Sequence, residues 1–401
     1  MTDARGARLT LLALLLAATA GCAGLRPLPG QGGRPPCALP AEGAQVADLW
    51  RCLDALPRTP RRESAFASTS RIVRGDLGQK RRDQDPARAC GGANPAGFDP
   101  PLEIPASAPG RAPLSALAAL SRSDPRLPIV IAVHGMFESK RTRPVLRLAQ
   151  ALADAGFGVV VPDMRWHGCR LDRAFLPTLG LEEGDDLRAW ASWLERTWPG
   201  RPIGLVSVSL GGLDIIHAAT GAEGALRFRA GAVAICPPAG LPRLARRLDG
   251  PSFVADEGLE ALTLYAFRNF LGRRMRGLGL DPRPPRRFSR FLDWLVTHEP
   301  ALAARGIRTV PELFAAAEPL DRIADARRPL LIVPSGDDPV LMSATAALWQ
   351  YAARGLDYVH VLETEGGGHV GQLGTDPQWV ADLLVRFFRA APGVSERPVP
   401  P

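Results

Sequence analysis

Lysine is nearly missing from this chain. Of 49 basic residues only Lys80 and Lys140 are lysine, so the formal charge of +8 rests on arginines scattered along the sequence. No long basic block interleaves with aromatics, and 401 residues hold just 3 tyrosines and 14 phenylalanines. A nucleic-acid footprint needs charge gathered on one face, so nucleic acid is excluded as a partner. The charge reads as compositional bias, with weak attraction to a membrane surface as a secondary consequence. Zinc-ribbon cysteine spacing is absent too, which argues against a structural metal site. The N-terminal apolar run, Leu9 to Ala18, is too short for a good transmembrane helix.

What is present is ordinary for a globular protein: 46% hydrophobic and 22% charged residues, enough chain for a large core in one or two domains. Residues 1–22 read as a signal peptide, with Arg5 and Arg8 before the apolar stretch. Thr19-Ala20-Gly21-Cys22 resembles a bacterial lipoprotein processing site, with Thr19 where leucine is usual. The expectation is lipidation of Cys22, export to the bacterial cell envelope and attachment to a membrane. The competing readings are an ordinary cleaved signal or an uncleaved anchor, with Cys22 incidental. Export permits disulfides, and Cys37–Cys52 and Cys90–Cys169 are candidate pairs. The five cysteines after Cys22 are odd in number, so one is free or pairs between chains, and Cys236 in an apolar strand reads as a buried thiol.

Residues 23–120 read as a Gly/Pro-rich tether followed by an irregular region, with a short helix over 41–56 and short strands over 67–73 and 102–104. From residue 121 strands and helices alternate, which implies a mostly parallel sheet with helices on both faces. Strands are expected over 127–133, 157–161, 203–208 and 230–236, with helices over 143–155, 185–197 and 213–220. Residues 241–328 break the rhythm. They are arginine-rich and mostly helical, with helices expected over 259–271 and 288–296, and an insertion at this place would cover the carboxyl edge of the sheet as a lid. The alternation resumes over 329–392, with strands over 329–333 and 357–362 and helices over 343–353 and 377–390. Residues 393–401 read as a tail.

The chemistry centres on Arg201 to Gly212, RPIGLVSVSLGG. An apolar strand turns at Ser209 into a glycine-rich helix start, the geometry of a nucleophile elbow. Ser207 occupies the position where the first glycine of Gly-x-Ser-x-Gly is usual, and it competes with Ser209 as nucleophile; only Ser209 sits directly before the helix. Asp338 and His369 also fall at carboxyl ends of strands, where open α/β sheets place their sites. A serine is a weak nucleophile without a base. His369 would take and return its proton, and Asp338 would hold the ring in the right tautomer and stabilise the imidazolium. Asp337 competes for the acid role, and the position before Pro339 favours Asp338. The backbone N–H groups of Leu210 and Met136, with Phe137 as alternate to Met136, are the expected oxyanion hole, where losing one donor typically costs roughly 3–4 kcal/mol. His134, His167, Asp163 and Arg165 read as loop anchors, Trp190, Trp193 and Trp198 as packing. His217, His298 and His360 lack the loop position of a base.

HGM, DMRWHG, SVSLGG, GDDP and GGGHVG occur in the order of an α/β-hydrolase superfamily protein, and the resemblance spans about residues 127–390. The GDDP and GGGHVG pieces resemble, more loosely, those of YheT-like esterases. The resemblance implies the α/β-hydrolase fold and hydrolysis of a carboxylic ester or related acyl bond of a small-molecule or lipid substrate, through a serine triad and acyl-enzyme, with neither metal nor organic cofactor. An acyltransferase with the same triad, a peptidase variant and an inactive surface binding module on this fold are the alternatives. The strands with which such folds begin are not evident before Leu127.

Overall fold

The computed structural model describes residues 46–56, 94–104, 113–168, 176–250, 288–338, 340–342, 344–370 and 372–390, with short pieces between 269 and 279. The expected leader with Cys22, the tether, the strand over 67–73, most of the helix over 259–271 and the tail lie outside these residues.

Eight strands form one sheet: β1 (Leu102–Ile104), β2 (Leu114–Ala119), β3 (Ile129–Val133), β4 (Gly158–Pro162), β5 (Ile203–Val208), β6 (Ala232–Ile235), β7 (Leu330–Val333) and β8 (Val359–Val361). Their order is β1-β2-β4-β3-β5-β6-β7-β8. The β1–β2 and β2–β4 pairings are antiparallel and the others parallel. Strands buried on both faces read as continuous apolar runs, as IVIAV and GVVVP do.

Successive residues of each strand serve opposite faces of the sheet. Val130, Val159, Val206, Val208, Val233 and Leu331 meet one helix layer, while Ile131, Val160, Leu205, Ala232 and Ile332 meet the other. The first layer holds α1 (Val46–Asp54) and α2 (Arg143–Asp154). The second holds α3 (Leu181–Thr197) and α4 (Gly211–Ala219). A short helix, α5 (Gly221–Arg227), follows α4. Trp190, Trp193 and Trp198 stack edge to face in that second layer, as packing residues do.

Between β6 and β7 the chain forms α6 (Leu241–Asp249), α7 (Phe288–His298), α8 (Pro300–Ala304), α9 (Val310–Ala317) and α10 (Pro319–Arg322). Leu241, Leu248, Phe291, Leu292, Leu295 and Leu313 from these helices share a third apolar cluster with Phe137 and Trp166 from the sheet's loops and Leu213 from α4. Trp166 lies flat on Phe291, 4.8 Å away at 4°. The chain closes with α11 (Ala344–Ala352), α12 (Gln372–Thr375) and α13 (Pro377–Ala390), the last packed in the first layer.

The irregular region expected up to residue 120 needs correction. Leu114–Ala119 is a full strand paired to β1 and β4, so the sheet begins before residue 121. Upstream, α1 buries Leu49 and Leu53 in the first layer, and its Trp50 indole donates to the Asp357 carbonyl at 2.9 Å. Cys52 in α1 is disulfide-bonded. Cys236 is a free, buried thiol.

Candidate active site

Seven non-glycine residues among the described ones hold a positive φ: Phe137, Trp166, Leu179, Ser209, Cys236, Met342 and Val370. Every one lies in a segment that follows the carboxyl end of a strand, from β3 to β8. Such backbone costs of order 1–3 kcal/mol per residue and persists where packing over-determines it. The strain is therefore concentrated along one edge of the sheet.

Ser209 sits at φ 53° directly after β5. Its N–H donates to the Ile235 carbonyl at 2.9 Å and its own carbonyl accepts from Gly212 N–H at 2.8 Å. One turn thus ends the β5–β6 ladder and starts α4. The two glycines after it permit close approach. A Cβ on Gly211 would stand 2.6 Å from the His134 carbonyl, and one on Gly212 2.4 Å from Pro237 Cβ. Ser207 lies within β5, fully buried, opposite Val133 and Ala234. Its Oγ has no hydrogen-bond partner among the described residues. The strand accepts a side chain at that elbow position, and His369 bonds Ser209 instead.

His369 joins the two remaining candidates. Its Nε2 is 2.7 Å from Ser209 Oγ and its Nδ1 is 2.8 Å from Asp338 Oδ2. A carboxylate only accepts, so Nδ1 carries the proton and Nε2 is left to accept from the serine. The other carboxylate oxygen, Asp338 Oδ1, accepts the N–H groups of Val340 and Leu341 at 2.8 and 2.9 Å. The Asp338 side chain is 3% exposed and that of His369 15%, so the acid is sheltered and the base reaches the open side. Asp337 ties loops together instead. Its Oδ1 accepts Ser335 Oγ–H at 2.6 Å and Gly368 N–H at 2.7 Å, which joins the loop after β7 to the loop that carries His369.

The turn after β3 lies against the serine. A Cβ on Gly135 would be 3.1 Å from Ser209 Cβ, and the Gly135 N–H donates to buried Glu138 at 2.9 Å. His134 accepts Met164 N–H on Nε2 at 3.1 Å and its Nδ1 lies 2.9 Å from the Gly135 carbonyl, so the neutral ring bridges the β3 and β4 loops. Burial pushes its pKa down, in keeping with a neutral ring. Asp163 pairs with Lys140 at 2.9 Å with both side chains buried. Arg165 binds Asp186 at 2.8 and 3.1 Å. His167 Nδ1 lies 2.6 Å from the Arg165 carbonyl, so all four side chains hold loops. The N–H groups of Met136 and Leu210 donate to no backbone carbonyl among the described residues, and that of Leu210 opens α4, where the helix dipole favours negative charge. Both side chains are partly buried against the lid cluster.

The other histidines are engaged elsewhere. His217 meets the Ala317 carbonyl at 3.2 Å. His298 stacks on Trp294, and His360 stacks on Trp50 and pairs with Asp54 at 2.9 Å. The tie through Asp337, the Glu138 contact and the nearness of Cys236 to the site were not anticipated. The Asp337–Gly368 and Cys236–Gly368 contacts join residues 31 and 132 positions apart, and no local pattern encodes them.

A mostly parallel sheet crossed on both faces, with a serine on the turn after its central strand, defines an α/β fold of the hydrolase type. The family model described as the alpha/beta hydrolase family matches residues 130–383, and the chain belongs to that family. No curated protein sequence matches the chain significantly. Among solved structures, an esterase from Pyrococcus furiosus, Pf2001, is similar at 18% identity, with 75% of this chain and 97% of that chain covered and a TM-score of 0.51. Est1E from Butyrivibrio proteoclasticus is similar at 14% identity over 72% of this chain and 98% of its own, TM-score 0.44. An acylaminoacyl peptidase from Pyrococcus horikoshii is similar at 17% identity over 74% of this chain and 42% of its own, TM-score 0.48. At these identities the likeness is one of fold.

Proposed function

We propose that this protein is a serine hydrolase that cleaves a carboxylic ester or related acyl bond through an acyl-enzyme on Ser209. The observation that carries the reading is the unbroken relay from Ser209 Oγ to His369 Nε2 and from His369 Nδ1 to Asp338, at 2.7 and 2.8 Å. As the serine oxygen attacks the acyl carbonyl, His369 Nε2 takes its proton, and Asp338 stabilises the imidazolium. The N–H groups of Leu210 and Met136 receive the oxyanion. The proton then passes to the leaving alkoxide, and a water activated by the same ring releases the acid. The apolar lid cluster beside Met136 and Leu210 supports an apolar acyl group in a small-molecule or lipid ester.

Pre-steady-state hydrolysis of p-nitrophenyl acyl esters tests this. A burst of about one p-nitrophenolate per enzyme is expected from wild type wherever deacylation is the slower step, and none from Ser209→Ala. A Ser209→Ala protein as active as wild type would refute the reading. Product analysis with a competing alcohol separates hydrolysis from acyl transfer, and hydrolysis is the expected outcome. We further propose that the enzyme is held at the bacterial cell envelope by a lipid on Cys22. Lipid labelling that persists in Cys22→Ala would overturn that assignment.

A further inference from the structure

Cys236 has no part in the acyl chemistry, yet it stands against it. It follows β6 at φ 48°, 1% exposed and free of any disulfide. Its N–H donates to the Val333 carbonyl at 2.9 Å, which fixes the turn. Its Sγ lies 4.0 Å from the carbonyl of Gly368, the residue before His369. The Cys236 sulfur, an Asp338 oxygen and a His369 ring nitrogen all lie within 4.8 Å of one another.

We infer that Cys236, Asp338 and His369 form an inhibitory site for a borderline-soft divalent cation such as zinc or cadmium. Zinc binds sulfur at about 2.3 Å and nitrogen and oxygen at about 2.0–2.2 Å. Two ligand atoms on one tetrahedral ion therefore stand about 3.5 Å apart, so the widest separation must close by up to about 1.3 Å and the Asp338–His369 pair, 2.8 Å apart, must open by about 0.7 Å, within reach of side-chain rotation. The thiol binds as thiolate and releases its proton to solvent. The imidazole binds through the nitrogen that faces Asp338, and its ring proton then resides on Nε2. That nitrogen can no longer accept a proton from Ser209, and Asp338 no longer supports the ring. The effect on activity rests on His369 acting as the base; the binding does not.

The test uses Ser209→Ala, which binds without turning over. Titration with cadmium chloride is expected to produce thiolate-to-cadmium charge-transfer absorption, and X-ray absorption of the zinc-loaded protein one sulfur among nitrogen and oxygen ligands. Adding Cys236→Ala should abolish the cadmium band and weaken zinc binding at least about tenfold, and Cys236→Ala alone should raise the zinc concentration for half-inhibition by a similar factor. If Cys236→Ala does not fold, Cys236→Ser serves as the second variant, with the same loss of the cadmium band expected. A zinc shell without sulfur, or zinc affinity unchanged in Cys236→Ala, overturns the site. Zinc bound through Cys236 with no loss of ester hydrolysis overturns the inhibitory role. Zinc bound by a protein with no esterase activity overturns the hydrolase reading and leaves the site standing.

Discussion

Ser207 is fully buried and its hydroxyl has no partner among the described residues. Leaving such a group unsatisfied costs about 1–3 kcal/mol, so Ser207→Ala should gain about 1 kcal/mol in urea unfolding and leave nucleophile labelling intact. A loss of stability would mean that the hydroxyl has a partner. The two neighbouring aspartates give a sharper contrast. Asp338→Asn keeps the shape but removes the acceptor that selects the Nδ1–H tautomer, and kcat should fall by about four orders of magnitude, the effect of the equivalent change in a serine protease triad. Asp337→Asn weakens a tie between two loops and should cost far less. Equal losses would contradict the roles given to them. That Ser209, Asp338 and His369 come together was legible in the sequence, because strand ends, glycines and the order of the three residues are local signals. Cys236 was legible as a buried thiol, while its distance to His369 depends on how β6, β7 and β8 align and has no local signature.

Among the elements, α4 links the elbow to the lid. His217 on α4 meets the Ala317 carbonyl at the end of α9. Burial lowers its pKa to about 4, with Arg322, Arg188 and Arg305 acting in the same direction against the Ala317 hydrogen bond. The unfolded chain takes up this proton below about pH 6.5 and the folded protein only below about 4. The stabilisation is therefore full above the unfolded pKa and is lost as pH falls, by about 1.4 kcal/mol per unit and about 3 kcal/mol in all. Unfolding measured from pH 7 to 4.5 should show this slope, and His217→Gln should flatten it by that amount; an unchanged slope would assign the acid sensitivity elsewhere. The parallel strands and their helices were readable because each is an apolar run or an amphipathic repeat. β2 was not. Its sequence, LSALAA, has no β-branched residue, and its strand state comes from pairing with β1 and β4, a tertiary effect that overrides local propensity.

At the scale of the whole molecule, one sheet edge gathers the strained loops, the Ser209–His369–Asp338 relay and the apolar cluster under the lid helices. Arg305 on the lid pairs with Glu182 of α3 at 2.9 Å, so the insertion is joined to the core by charge as well as by Trp166 on Phe291. The insertion was recognisable as a break in alternation; how its helices pack over the sheet edge was not, since that depends on contacts far apart in the chain. No helix among the described residues is long and apolar enough to cross a membrane. The central claim is that Ser209 is an activated nucleophile. Fluorophosphonate labelling of the purified protein, mapped by mass spectrometry, tests it most directly. The account predicts one adduct, on Ser209, absent in Ser209→Ala and sharply slowed in His369→Ala. No adduct on wild type, or an equal adduct on Ser209→Ala, would contradict it.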